Sequence, residues 1–295
     1  MYKILVCAVL VLPYVHSLPV EQENSTSYFA HPMDVHFTGG STRIIGGEEV
    51  EAHAYPFQAV LLIYKGEAEY FCGGTLISNR LVLTAAHCVI MKPDYIVVGL
   101  GVHSLKEVGT GVLTLQTSDY VAHSGYNGDT FQNDIALIRL PQNVTFTEYI
   151  QPVQLANGIN KYEGDKATLI GWGQTESVSL SLVLRGVNAT IMTNDACGNV
   201  NPTYKEVIRP MHICTYGTGT VGVCSGDSGG PLLVDGVQVG ITSFGTEICT
   251  LGMPSVFTRI TEFQDWIARG AATTHDALHF TAVVLLALCF SYLFN

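Results

Sequence analysis

Three short segments of the chain carry residue types that together could activate a serine hydroxyl. The segments are Leu83–Cys88, Asp134–Leu137 and Gly226–Pro231. A serine hydroxyl is a poor nucleophile at neutral pH, so it needs an adjacent base, typically a histidine whose tautomer a buried carboxylate fixes. His87, Asp134 and Ser228 offer these three groups, and the glycines around Ser228 allow backbone N–H groups to point at an oxyanion. Taken singly, each segment also fits a structural histidine, a turn aspartate or a glycine-rich loop.

Short runs of β-forming residues must position these groups. We predict strands at Phe57–Tyr64, Thr75–Ile77, Leu81–Leu83, Tyr95–Val97, Val112–Leu115, Ile135–Leu140, Ala167–Ile170, Val237–Thr242 and Ser255–Ile260, because Val, Ile, Leu and Thr cluster there between turn residues. One amphipathic helix is predicted from the spacing of Ile260, Phe263 and Ile267. Many short strands and a terminal helix favour an antiparallel sandwich or a pair of barrels.

The composition excludes several classes of protein. The chain has 295 residues, of which 47% are hydrophobic and 13% are charged, so it is not a disordered chain. Its 25 acidic and 14 basic residues give a formal net charge of -11, which disfavours a nucleic-acid partner because phosphates would be repelled. Nothing in the composition calls for a cofactor.

The N-terminus reads as a secretory signal over residues 1–17. Lys3 supplies the positive start, Ile4–Leu12 is apolar, and Ser17 is a small residue suited to signal peptidase. The alternative is a membrane anchor, but the apolar run is too short to span a bilayer.

The C-terminal tail, residues 271–295, is hydrophobic and has three interpretations. Ala277–Phe294 is mostly apolar, and no Lys or Arg follows it, although a transmembrane helix usually has positive residues on its cytoplasmic side. Small residues at Gly270–Ala272 and a spacer at Thr273–His279 favour a GPI-attachment signal. A single-pass anchor and an ordinary buried helix stay open as alternatives.

Six cysteines remain after Cys7 in the signal and Cys289 in the tail are set aside. They are Cys72, Cys88, Cys197, Cys214, Cys224 and Cys249. In a secreted chain six cysteines suggest three disulfides, for which fifteen connectivities exist. No Cys-x-x-Cys spacing supports a zinc site. Sequons at Asn24, Asn143 and Asn188 predict glycosylation in the secretory lumen.

The three segments, in the order His, Asp, Ser, resemble those of the chymotrypsin-like (trypsin-fold) serine proteases. The resemblance covers Ile44 to about Gly270 and includes Ile44–Gly47 after Arg43, Gly171–Gly173 and Ser243–Gly245. It implies an all-β catalytic domain, residues 44–270, of two packed antiparallel β-barrels with a C-terminal helix and the active site between the barrels. It also implies the disulfides Cys72–Cys88, Cys197–Cys214 and Cys224–Cys249.

The resemblance assigns a role to each residue of the triad. Ser228 would attack the scissile carbonyl, His87 would act as base and then acid, and Asp134 would orient His87, while the N–H groups of Gly226 and Ser228 would form the oxyanion hole. Ser243 would lie on the strand that pairs with the substrate backbone. Phe244 departs from the tryptophan more usual at that position, which changes a neighbouring subsite.

The same resemblance places the specificity pocket and argues against a metal. Gly222 would lie at the bottom of the pocket, with Val223, Gly245 and Ser255 around it, and none of them carries a charge. We therefore expect cleavage after large apolar or aromatic residues; elastase-like or collagenase-like breadth is the alternative, since Ser255 could narrow the base. The stretch that would hold calcium in the family has Glu107 as its one acidic residue, so we predict no metal.

The chain also looks like a zymogen, a precursor activated by cleavage. Arg43–Ile44 would be the cleavage site, with 18–43 as propeptide, and the new ammonium of Ile44 would pair with Asp227. An uncharged pocket cannot accept Arg43 well, so the expected partners are a trypsin-like activating protease, protein or peptide substrates, and protein protease inhibitors. A non-catalytic homologue acting as a binding module is the alternative from another class, but it would need to have lost a triad residue.

Overall fold

The computed structural model describes residues 47–106, 111–173, 180–217, 226–246 and 252–272. Most elements within them are strands: β1 (Glu48–Glu49), β2 (Gln58–Lys65), β3 (Ala68–Leu76), β4 (Leu81–Thr84), β5 (Tyr95–Leu100), β6 (Leu113–Thr117), β7 (Tyr120–Ala122), β8 (Ala136–Arg139), β9 (Gln154–Leu155), β10 (Lys166–Gly171), β11 (Arg185–Met192), β12 (His212–Thr215), β13 (Pro231–Val234), β14 (Val237–Phe244) and β15 (Ser255–Arg259). The helices are α1 (Asn194–Gly198), α2 (Pro202–Val207) and α3 (Gln264–Ala272), with 3-10 turns at Ala86–Cys88 and Ile260–Glu262.

The first half of the chain forms a seven-stranded antiparallel sheet in the order β6-β5-β2-β3-β4-β8-β7. Its longest pairing is the hairpin of β2 and β3, which runs in register from Gln58 opposite Thr75 to Lys65 opposite Ala68. Gly66, at φ +58°, makes the turn between them. β4 and β8, which precede His87 and follow Asp134, are neighbours in this sheet. The sheet therefore brings two of the predicted catalytic residues to one end of an adjacent strand pair.

The second half, joined by β1 from the start of the described chain, forms a sheet in the order β1-β11-β10-β13-β14-β15-β12, and β12 pairs back onto β11. That last pairing closes a barrel, and the short β9 adds to β14 in parallel. The two sheets bury one apolar interface, in which Val60 and Phe71 from the first pack with Ile170 and Leu233 from the second. The predicted fold of two antiparallel barrels with a C-terminal helix is confirmed.

Trp172 connects the two barrels. Its side chain is completely buried, and its indole N–H donates a hydrogen bond of 3.0 Å to the carbonyl of His103. The bond satisfies the one polar atom of the ring inside an apolar interface, where an unpaired donor would cost free energy. The barrels are thus held by apolar packing and by specific polar contacts.

All nine predicted strands overlap observed ones, but two of them need new bounds and several elements were missed. The strand predicted at Thr75–Ile77 is the end of the longer β3, and the one predicted at Ser255–Ile260 stops at Arg259 because Ile260 begins a 3-10 turn. Six observed strands were not predicted, namely β1, β7, β9, β11, β12 and β13, nor were the short helices α1 and α2. The caps of α1 and α2 were available as signals, since Thr193 and Asn201 each accept a backbone N–H and Pro202 opens α2.

The predicted C-terminal helix is present as α3, but it begins later than its predicted apolar residues. Ile260 belongs to the preceding 3-10 turn and Phe263 follows that turn, so Ile267 is the one of the three that lies on α3; Phe263 and Ile267 are both buried. It extends through Gly270 to Ala272, and the Arg139 guanidinium donates to the Gly270 carbonyl at 3.1 Å. Within the described residues, no helix is both long and apolar enough to cross a membrane. The predicted signal, propeptide and tail lie outside those residues, apart from the first two residues of the tail.

Candidate active site

His87 lies on the 3-10 turn that follows β4. Its neighbours Ala86 and Cys88 are buried, whereas its own side chain is 21% exposed. A disulfide between Cys88 and Cys72 ties this turn to β3, as the resemblance implied. The turn is thus fixed on one side, and the imidazole is presented at the protein surface.

Asp134 is fully buried two residues before the start of β8, and its carboxylate accepts hydrogen bonds from His87 through both oxygens. Oδ1 accepts the backbone N–H of His87 at 2.9 Å, and Oδ2 lies 2.8 Å from His87 Nδ1. Because a carboxylate can only accept, Nδ1 must carry a hydrogen, so Nε2 of a neutral ring is free to take a proton. This is the tautomer that a general base requires.

Two hydroxyl groups from the second barrel hold Asp134 as well. Ser243 Oγ donates to Asp134 Oδ2 at 2.5 Å, and Thr258 Oγ1 donates to the Asp134 carbonyl at 2.7 Å. Sequence reasoning had placed Ser243 beside the substrate backbone and had given Thr258 no role. A buried carboxylate needs such donors, because an unpaired charge in an apolar interior is very costly.

The pKa of His87 is raised above the ordinary histidine value. Burial acts to lower it, but the negative charge of Asp134 and the hydrogen bond to its carboxylate favour the imidazolium more strongly. The Asp134 carboxylate would therefore stabilise the positive charge of a protonated His87.

Ser228 lies in a tight turn between two glycines in the left-handed region, Gly226 at φ +95° and Gly229 at φ +80°. The Gly73 N–H donates to the Ser228 carbonyl at 2.7 Å, and Cys88 Sγ lies 3.8 Å from the same oxygen. A Cβ at Gly229 would overlap Thr84 Oγ1 and the Gly73 carbonyl. The turn is thus packed against β3 and against the residue next to His87, and Ser228 itself stays half-buried.

Asp227 is 2% exposed and points away from Ser228, towards the turn after β10. Its Oδ1 accepts the Gly173 N–H at 3.0 Å. Gly171 and Gly173 both lie so close to the carboxylate that a Cβ at either would overlap it. The glycines predicted as part of the resemblance therefore make room for Asp227.

The predicted pocket, disulfide and glycosylation residues lie partly within the described part of the structure. Gly245 is exposed at the end of β14, and Ser255 is buried at the start of β15. The second predicted disulfide, Cys197–Cys214, is formed. Asn143 and Asn188 are exposed. Outside the described residues lie Asn24, Arg43, Ile44, Gly222, Val223, Cys224 and Cys249.

One cluster of possible metal ligands occurs in the described part of the chain, formed by Cys72, His87 and Cys88. The two sulfurs are bonded to each other, and His87 Nδ1 is engaged by Asp134. The donors are therefore already used, and the cluster does not fit a metal ion.

Comparison with known proteins agrees with this geometry. The family model described as Trypsin matches residues 44–267. A chymotrypsin from Phaedon cochleariae is 37% identical over 254 residues, which cover 84% of this chain and 89% of the relative. A brachyurin from Leptuca pugilator is 41% identical over 227 residues, covering 76% of this chain and 96% of the relative. The solved structure of HL collagenase superposes with a TM-score of 0.71 at 34% identity and covers 77% of this chain and 98% of its own.

Proposed function

The chain belongs to the trypsin family of serine proteases, and from that premise we propose that Ser228, His87 and Asp134 are its catalytic triad. The observation that carries the proposal is the buried Asp134, which bonds both the backbone and the ring of His87. The tight turn around Ser228, packed against Cys88, supports the placement of the nucleophile beside the base.

In the proposed reaction, His87 Nε2 removes the hydroxyl proton as Ser228 Oγ bonds to the carbonyl carbon of the scissile peptide. The electron pair of the carbonyl π bond moves onto the carbonyl oxygen, and the N–H groups of Gly226 and Ser228 stabilise the resulting oxyanion. When the C–N bond breaks, His87 gives its proton to the leaving amine. In the second half of the reaction, His87 removes a proton from a water molecule that attacks the acyl carbon. The bond from that carbon to Ser228 Oγ then breaks, and His87 returns the proton to Ser228.

For specificity, we propose cleavage after large apolar or aromatic residues. The residues assigned to the pocket, Gly222, Val223, Gly245 and Ser255, carry no charge, so a cationic side chain would be buried without a partner. An aromatic ring needs only an uncharged slot, and its burial contributes on the order of 2–3 kcal/mol. Gly245 leaves one wall open, which favours a large side chain.

A broader, collagenase-like specificity is the second candidate. One similar solved structure is named a collagenase, and the buried Ser255 would shorten the pocket. Competition between matched Phe, Leu, Ala and Arg peptides, compared by kcat/KM, tests both ideas. We expect Phe or Leu to win over Ala and Arg; comparable values for Phe, Leu and Ala favour the broader enzyme, and an Arg substrate that wins contradicts the uncharged pocket.

We further propose that the enzyme enters the secretory pathway and is made as a zymogen. Residues 1–17 would be removed as a signal, and cleavage after Arg43 by a trypsin-like protease would free Ile44 to pair with Asp227. The buried position of Asp227 beside Gly173 supports a role inside the fold rather than in substrate binding. The exposed Asn143 and Asn188 are then available for glycosylation. The tail would serve as a GPI signal that tethers the enzyme to the outer cell surface.

A further inference from the structure

A second histidine, His212, is buried close to the triad and takes no part in the chemistry above. It opens β12, is completely buried, and lies opposite Thr258 on β15. Its Nδ1 accepts the backbone N–H of Arg209 at 3.1 Å, so Nε2 carries the hydrogen of the neutral ring. Nε2 lies 3.1 Å from the carbonyl of Phe131, to which it donates. Both ring nitrogens are therefore engaged, each in one direction only.

The neutral state of His212 follows from its surroundings. Burial lowers its pKa, and the bond to the Phe131 carbonyl and the charge of Asp134 oppose this only in part, while Arg209 and Arg259 lower the pKa further. The Arg259 guanidinium also donates to the His212 carbonyl at 2.9 Å. The backbone and the ring of His212 are thus both fixed.

The acceptor, Phe131, adopts an unusual backbone conformation. Its φ is +52°, in the left-handed region that bulky residues rarely occupy, and Asn133 is at φ +56°. Such conformations cost free energy and persist only where surrounding contacts enforce them. His212 supplies one such contact from the other barrel, 81 residues away in sequence, on the segment that leads directly into Asp134.

The ring of Phe131 stands beside the catalytic base. It meets the His87 ring edge-on, with centroids 6.2 Å apart, and lies 5.0 Å from the ring of Phe244. Phe244 in turn meets the His212 ring edge-on at 5.8 Å. Both phenylalanines are half-buried, so part of each stays exposed to solvent. His212 therefore contacts both residues, the backbone of Phe131 by a hydrogen bond and the ring of Phe244 by edge-on packing.

We propose that His212 is a positioning residue that fixes Phe131 and Phe244 as an apolar wall for a substrate side chain next to the one in the primary pocket. The inference rests on the proposed function, since Phe244 lies on the strand expected to pair with the substrate backbone. A wall held in place loses little freedom on binding, whereas a mobile one must be ordered by the substrate. His212 therefore contributes to the preference for large apolar residues at that neighbouring position.

Two variants of similar shape separate the hydrogen bond from simple filling of space. His212→Gln keeps an N–H that can reach the Phe131 carbonyl, whereas His212→Met has no donor. Tyr204→Phe is the matched control, because it removes a buried hydrogen bond of 2.7 Å to the Pro254 carbonyl but keeps the ring, whose centroid lies 6.3 Å from that of Phe244. Each activated enzyme is titrated with a serine-directed phosphonate, so that rates refer to active sites.

The measurement is kcat/KM for peptides with the same residue before the cut and either Leu or Ala at each of the three preceding positions. For His212→Met we expect the Leu preference at one position to fall by about three- to tenfold, the effect of about one lost hydrogen bond. The change should appear in KM rather than kcat. His212→Gln should retain most of the preference, and Tyr204→Phe should leave it unchanged.

A His212→Met variant that is titrated by the phosphonate and keeps the wild-type preference for Leu overturns the proposal. A Tyr204→Phe variant that loses as much of the Leu preference as His212→Met overturns it as well. If His212→Met does not fold, His212→Gln decides alone, because a folded Gln variant that loses the preference contradicts the role of the donor. These results leave the triad intact. Wild-type enzyme that neither titrates nor cleaves any peptide would instead contradict the proposed function and this inference together.

Discussion

Replacing Asp134 by Asn removes one charge from the site while keeping its shape. In the wild type, Asp134 Oδ2 accepts hydrogen bonds from His87 Nδ1 at 2.8 Å and from Ser243 Oγ at 2.5 Å. An amide nitrogen of Asn at the same place would face both of these donors. His87 would therefore take the other tautomer, with its hydrogen on Nε2, and could not accept the Ser228 proton. The new side chain would also fail to stabilise the imidazolium.

The distance between His87 Nδ1 and Asp134 Oδ2 gives the expected size of the loss in rate. At an effective dielectric constant of about 20, two unit charges separated by the 2.8 Å of this pair attract by about 6 kcal/mol, or about four powers of ten in rate. The same exchange in the well-studied Ser-His-Asp triad of this family, in another protein and not this chain, lowers kcat by about 10⁴. We therefore expect kcat/KM at neutral pH to fall about 10⁴-fold in Asp134→Asn.

The assay is a peptide pH-rate profile of the activated wild type and the variant. His87 must be neutral to act as a base, so wild-type activity should fall as the pH drops through its raised pKa. In Asp134→Asn the residual activity should decline at a lower pH, because the carboxylate no longer raises that pKa. Asp119→Asn, the same exchange at an aspartate 62% exposed, is the control and should change little. Asp134→Asn that keeps a tenth or more of wild-type activity would refute the assignment.

Three further changes test the turn, the activation site and the tail. Gly229→Ala should prevent folding or abolish activity, because its φ is +80° and a Cβ would overlap Thr84 Oγ1 and the Gly73 carbonyl; a folded, active variant by circular dichroism and peptide assay would contradict this. Arg43→Gln should block activation by trypsin, and full activation of that variant would disprove the cleavage site. Phosphatidylinositol-specific phospholipase C should release activity from expressing cells. Activity that stays on the cells, with a C-terminal epitope still present, would favour a spanning helix. Activity found only in the medium would contradict both a GPI anchor and a spanning helix.

The residues proposed as the triad could be selected from the sequence because each lies within a short motif. His87 follows an apolar strand and Asp134 precedes another, while the glycines beside Ser228 indicate a turn. Each residue could therefore be identified from a few neighbouring residues. The strand β11 could also have been found, since Val187, Ala189 and Ile191 alternate with polar residues in the period of a strand. β13 was overlooked because its first residue, Pro231, was assigned to the nucleophile motif.

The support for the triad could not be predicted, because it joins residues far apart in the chain. Ser243 reaches Asp134 across 109 positions, and His212 reaches Phe131 across 81. A serine within a strand and a histidine at the start of one carry no local signal for such contacts. They depend on how the second barrel packs against the first, which is set by burial of the whole interface rather than by any one motif.

Covalent labelling with a serine-directed organophosphonate tests the central claim most directly, because the reagent requires an activated hydroxyl. The full-length chain is treated with trypsin, labelled, and analysed by peptide mass mapping beside an identically treated Ser228→Ala variant. We predict one adduct, on Ser228, that appears only after cleavage behind Arg43 and is absent from the alanine variant. An activated and folded chain that gives no adduct, or an adduct that persists in Ser228→Ala, would contradict the catalytic assignment.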